Sequence, residues 1–90
     1  NFSEVLVFPN PVKPDYQGLI TIQGLITDAI VKITDISGNL IYETVALGGQ
    51  AVWDGKSFEG KKAHTGVYLI FCSDKDGNMT QVTKLLFVRG

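Results

Sequence analysis

Ninety residues, 44% of them apolar, allow one domain with one packed core. The formal net charge is −1 and the eight basic residues are scattered, with Lys61-Lys62 the only adjacent pair, so the electrostatic footprint that nucleic acid demands is missing. One cysteine, Cys72, rules out an internal disulfide, and no apolar run approaches the roughly 18 residues of a membrane-spanning helix.

The chain opens on Asn1-Phe2-Ser3, with neither an initiator Met nor a signal-peptide pattern, and reads as a fragment whose targeting signals lie upstream. Apolar residues recur at period two in short runs broken by Gly, Asp and Asn, which predicts strands throughout and no helix. Glu4–Phe8 is the first predicted strand, stopped by Pro9-Asn10-Pro11, since two prolines so close cannot donate to a ladder. Gly18–Gly24 is the second, with Ile20 and Ile22 on one face. Ala29–Ile36 is the third, with Val31 and Ile33 inward and Lys32 and Thr34 outward. Ser37-Gly38-Asn39 supplies a tight turn into the fourth strand, Asn39–Ala46. Gly48-Gly49 turns the chain into a short fifth strand, Gln50–Trp53, closed by Asp54-Gly55. Residues 56–65 read as a polar loop. Gly66–Ser73 is the sixth strand, with Val67, Leu69 and Phe71 on one face and Tyr68, Ile70 and Cys72 on the other. A strand apolar on both faces is expected at the centre of a sheet and covered twice. Asp74–Asn78 is a hairpin loop, and Met79–Arg89 is the seventh strand, with Val82, Leu86 and Val88 opposite Leu85 and Phe87.

Seven short strands, with turns every eight to twelve residues, predict an all-β fold: an immunoglobulin-like, seven-stranded antiparallel β-sandwich, with a small barrel as the alternative. The Cys-Trp-Cys pattern of true immunoglobulins is absent.

No catalytic constellation, cofactor motif or metal-ligand set emerges. The only histidine, His64, lies in a loop, while Cys72 lies mid-strand on an apolar face, where a thiol is expected to be buried and inert. The run Asp74-Lys75-Asp76-Gly77-Asn78 invites a calcium reading. Counted from Asp74, however, glycine falls fourth instead of sixth and Leu85 stands at position twelve, so a hairpin turn with Gly77 in the left-handed region is the better reading. Asp35 and Asp54, beside glycines at strand ends, are expected to cap their own backbone. The nine aromatics are spread about one per strand, as core residues would be.

Several signals appear in a fixed order: Pro9-Asn10-Pro11, then Asp35-Ile36-Ser37-Gly38, then Trp53-Asp54-Gly55-Lys56, then Gly66-Val67-Tyr68, then Lys84-Leu85-Leu86-Phe87-Val88-Arg89. This order, from about Val5 to Arg89, resembles the C-terminal sorting domain of cargo proteins of the type IX secretion system of Bacteroidetes. The runs from Pro9 to Tyr16 and from Gly48 to Gly55 look most like the subgroup at the end of PorZ-type, propeller-containing surface proteins. The terminal Gly90 departs from the basic residue on which many members stop.

The resemblance implies that residues 1–90 are a single C-terminal signal domain of a larger exported protein. That protein would pass through the periplasm to the outer-membrane surface or beyond. The implied partners are the type IX translocon, an outer-membrane shuttle barrel and a sortase-like protease, with the chemistry belonging to the protease. A terminal strand can offer backbone hydrogen bonds and alternate side chains to a partner. The expected recognition surface is therefore Pro9, Asn10 and Pro11 with Lys84, Leu85, Phe87, Val88 and Arg89. Asp35, Gly38, Trp53, Asp54, Gly55, Gly66 and Tyr68 are expected to hold the motif's turns and core. An exposed edge strand is also expected to be able to pair with a second copy. Two rivals share parts of the pattern. A flagellar hook-capping sandwich resembles the chain at Trp53-Asp54-Gly55, Gly60 and Gly66-Val67-Tyr68. A carbohydrate-binding module would need Trp53, Tyr42 and Tyr16 exposed.

Overall fold

The computed structural model describes residues 5–88, with the backbone alone at positions 79 and 80. Seven strands follow in order: β1 (Leu6–Phe8), β2 (Ile20–Gln23), β3 (Ile30–Asp35), β4 (Leu40–Val45), β5 (Gln50–Trp53), β6 (Gly66–Ser73) and β7 (Met79–Phe87). Each predicted strand is present, and β5 and β6 have the expected bounds; the expected extensions to Glu4 and Arg89 lie outside the described residues. The strands form two antiparallel sheets, β1-β2-β5 and β4-β3-β6-β7. Packed face to face, they make a seven-stranded β-sandwich of the kind the turn spacing predicts.

Period-two alternation puts one face of each sheet inside. Ile20 and Ile22 of β2, Ala51 and Trp53 of β5, Val31 and Ile33 of β3, Tyr68, Ile70 and Cys72 of β6, and Leu85 and Phe87 of β7 are all buried. At one end of this core the rings of Trp53, Tyr68 and Phe87 meet edge to face, with centroids 5.5–6.2 Å apart, a geometry that the ring quadrupoles favour. The Trp53 indole N–H donates to the Lys56 carbonyl at 2.7 Å and the Tyr68 hydroxyl to the His64 carbonyl at 3.0 Å, so both buried polar tips are satisfied.

Two hairpins share one device. Asp35 Oδ1 accepts the Ser37 and Asn39 N–H groups and its Oδ2 accepts the Asn39 amide; Asp74 makes the same bonds to Asp76 and Asn78. Gly38 at φ 90° and Gly77 at φ 87° supply the left-handed residue that each turn requires. These bonds favour the charged form and hold both carboxyls below the usual carboxylate range, the Asn39 amide being the largest influence on Asp35 and the Asn78 N–H on Asp74.

Three expectations are corrected. β6 is central, between β3 and β7, but it is not covered twice: Val67, Leu69 and Phe71 are only half-buried on the outer face. Thr34 faces outward as expected, yet it is 8% exposed, because the register sets it between Leu40 and Leu69 beside a bulge in β3–β4 pairing. Residues 56–65 are not a plain loop. Lys56 and Lys62 pair across a small turn, closed by the Ser57 N–H on the Lys61 carbonyl.

Candidate functional site

The candidate site begins where the chain changes sheets. β1 pairs with β2 in the three-stranded sheet. The Phe8–Pro9 and Asn10–Pro11 peptide bonds are both cis, and after them Val12 lies parallel to Phe87 on the edge of the other sheet. Residues 9–12 thus form a strap across β7. The Asn10 side chain takes the place of a strand's backbone: its Nδ2 donates to the Lys84 carbonyl at 2.9 Å and its Oδ1 accepts the Leu86 N–H at 3.1 Å. Val12 continues the strap, its N–H donating to the Leu86 carbonyl and its carbonyl accepting the Val88 N–H, both at 2.8 Å. Proline suits such a strap, since neither Pro9 nor Pro11 has an N–H to satisfy.

The two segments expected to form a recognition surface are therefore in direct contact. Pro9 is half-buried, Asn10, Pro11, Lys84 and Val88 are exposed, and Arg89 lies outside the described residues. Leu85 and Phe87 are completely or almost completely buried. They fix β7 to the core from within and offer no surface to a partner. Sequence reasoning passed over Val12, Val82 and Leu86. Val12 is buried, while Val82 and Leu86 are 44% and 40% exposed. The sequence signals were an isolated apolar residue in a polar stretch and the outward phase of the last strand.

The remaining motif residues gather at the same end of the sandwich. Asp35 is in register with Tyr68, and Gly66 with Phe87. Gly55 has φ 79°, and a Cβ there would lie 3.3 Å from the Phe87 ring. Asp54 Oδ1 caps the Lys56 N–H at 3.0 Å. Two depressions flank the strap. One of about 470 Å³ is lined by Pro9, Asn10, Pro11, Lys13, Asp15 and Tyr16. The other, of about 330 Å³, runs from Val12 and Tyr16 to Asp54, Lys56, Lys62 and Phe87.

Other candidate groups are placed apart from this site. His64 is exposed in its loop. Burial pushes the Cys72 thiol up to about 11, far from the thiolate range of a nucleophile. Trp53 is 1% exposed, so it offers no ring to a sugar.

Comparisons with known proteins bear on the family and the fold as a whole. The family model for the secretion system C-terminal sorting domain matches residues 6–87. PorZ of Porphyromonas gingivalis, described as an essential bacterial surface component of the type-IX secretion system, is similar in structure. The TM-score is 0.84, with 32% identity over 94% of this chain and 11% of that one. Dimeric latent PorU from the same organism has a TM-score of 0.68, with 26% identity over 96% of this chain and 9% of that one. The chain thus spans about a tenth of the solved proteins it resembles. No curated protein matches by sequence. With the family model spanning nearly all of the sandwich, the chain belongs to the secretion system C-terminal sorting domains, the signals that direct their parent proteins through the type IX system to the outer-membrane surface or beyond.

Proposed function

We propose that residues 1–90 form one terminal domain of a larger exported protein, and that the type IX machinery reads the composite surface made by residues 9–12 and the end of β7. The observation that carries this reading is the pair of hydrogen bonds between the Asn10 side chain and β7, one donated by its Nδ2 to the Lys84 carbonyl and one accepted by its Oδ1 from the Leu86 N–H. They lock two chain segments 74 and 76 residues apart into one rigid patch, so the patch exists only when the sandwich is folded. Asn10, Pro11, Lys84 and Val88 are its accessible members, and Leu85 and Phe87 hold it in place from the core.

The translocon is the first partner, with an outer-membrane shuttle barrel and a sortase-like protease acting after it. Bond cleavage belongs to the protease, and this domain contributes no catalysis. Self-association through an edge strand is excluded from the Leu86 end of β7, which residues 9–12 already occupy.

The test is a fusion of residues 1–90 behind a signal peptide and a fluorescent reporter, expressed in a bacterium with a working type IX system and in its translocon mutant. Protease added to whole cells is expected to reach the reporter only in the first strain. The mass of the exported reporter then tells whether the domain is cut off. A folded fusion that stays periplasmic in both strains refutes the reading.

A further inference from the structure

The strap covers only part of the β7 edge. Leu86 turns its N–H and C=O away from β6, toward Asn10 and Val12. By the two-residue period, Lys84 and Val82 turn theirs the same way. The Lys84 carbonyl is met by Asn10. Among the described residues the Lys84 N–H and both backbone groups of Val82 have no partner. Three edge groups in a row are thus open, beyond the point where the chain leaves for β1.

Two further observations describe what would fit there. The outer face beside this edge is apolar: Phe71 is in register with Val82 and Val67 with Leu86, and all four are partly exposed. Between those pairs stands Lys84, opposite Leu69, exposed and without an ion pair among the described residues. Thr83 and Gln81 occupy the opposite phase and are half-buried.

We propose that this open stretch accepts a short extended segment of a partner protein as an added strand, with an apolar residue beside Val82 and an acidic residue two positions away beside Lys84. Main-chain bonds to Val82 and Lys84 supply the attachment, as in other strand-addition modes. The side-chain pattern supplies the choice, because cross-strand neighbours of opposite charge attract and like charges repel. A second copy of this domain fits less well: antiparallel self-pairing centred on Thr83 sets Lys84 of each copy opposite Val82 of the other, so each apolar position faces a charge and neither Lys84 gains an acidic neighbour. The proposal rests on the sorting-surface reading above and adds the mode and chemistry of the contact.

The test uses the same exported fusion with Val82→Pro, Lys84→Glu and Lys84→Arg. Val82→Pro removes an edge N–H that meets no acceptor among the described residues, and an edge position tolerates proline. Lys84→Glu reverses an exposed charge. Loss of one such backbone bond, or reversal of the charge, is expected to cut the rate of surface appearance by about tenfold. Lys84→Arg should export like the parent, and all variants should resist periplasmic proteolysis as the parent does. If Val82→Pro fails to fold, the contrast between Lys84→Glu and Lys84→Arg decides alone. Parental export of both Val82→Pro and Lys84→Glu overturns the proposal. So does a concentration-dependent dimer that Val82→Pro abolishes without loss of export, because it would assign the edge to a second copy. Failure of the unsubstituted fusion to export sinks the sorting-surface reading itself and is distinguishable from either result.

Discussion

Replacing Asn10 by Ala removes both side-chain bonds that fasten the strap to β7 while leaving the backbone and the core untouched. The bonds are 2.9 and 3.1 Å long and close a separation of more than seventy residues. Each hydrogen bond of this kind contributes about 0.5–1.5 kcal/mol net. Asn10 is exposed, so water replaces part of what is lost and the sum falls in the lower half of the range, about 1–2 kcal/mol. For a domain of this size that lowers the melting midpoint by roughly 5–12 °C. Urea unfolding monitored by Trp53 fluorescence measures the free energy. Amide exchange at Leu86, whose N–H loses its acceptor, locates the change. Asn10→Asp is the matching control: it keeps an acceptor for the Leu86 N–H but turns a carboxylate oxygen toward the Lys84 carbonyl, and it should recover none of the loss. A change within about 0.5 kcal/mol, the range of ordinary surface substitutions, together with unaltered exchange at Leu86, would refute the strap's structural role.

Gly55→Ala should cost about 2 kcal/mol, since it forces a side chain into the left-handed region and sets its Cβ 3.3 Å from the Phe87 ring. Gly38→Ala, at φ 90° with open space around it, should cost only about 1 kcal/mol, and equal losses in urea titrations would remove Phe87 from the explanation. Asp35 and Asp74 have carboxyls held below their unfolded value. Their contribution is therefore fully present above the unfolded pKa near 3.8 and is lost as pH falls through the lower folded values. Stability measured from pH 6 downward should stay level until about pH 4 and then decline, and the double substitution Asp35→Asn, Asp74→Asn should flatten that decline; an unchanged slope would show that other groups govern it.

Local patterns in the sequence were sufficient for the strands and for the hairpin turns at Gly38 and Gly77, though not for the turn between Lys56 and Lys62. Alternation at Ile20/Ile22 and Val31/Ile33 marks the inner faces, and Asp beside Gly marks the caps, because both effects act over two to five residues. The kinship of the two hairpins was equally open to view, since Asp35 to Asn39 and Asp74 to Asn78 share Asp first, Gly fourth and Asn fifth. What alternation could not resolve is which side of a doubly apolar strand meets the core. Val67, Leu69 and Phe71 look like core residues in one dimension, and only the sheet order leaves them on the outside. The strap was hidden for a different reason. Pro9-Asn10-Pro11 announces that the chain leaves its sheet, but the destination is set by contacts more than seventy positions away. In β7 alternation separates Leu85 and Phe87 from Leu86 but does not say which phase meets the core, and the structure turns Leu85 and Phe87 inward, away from the recognition surface expected of them, with Lys84 and Leu86 outward.

The arrangement of edges ties the fold to export. An unpaired sheet edge is a template for wrong partners, and an exported domain benefits from few of them. β1 is only three residues long and β5 four. The β4 edge is met by the Phe58 N–H on the Ile41 carbonyl, with the Phe58 ring against Tyr42. β7 is the longest strand, at nine residues, and the strap covers it from the Lys84 carbonyl to the Val88 N–H. The cover stops there because Leu6–Phe8, the residues that would extend it, are committed to β2 in the other sheet. The switch at Pro9 thus does two things at once. It seals the end of β7 that completes the aromatic core, and among the described residues it leaves the Lys84 N–H and the Val82 backbone uncovered on the longest strand, which is where the strand addition proposed above would take place.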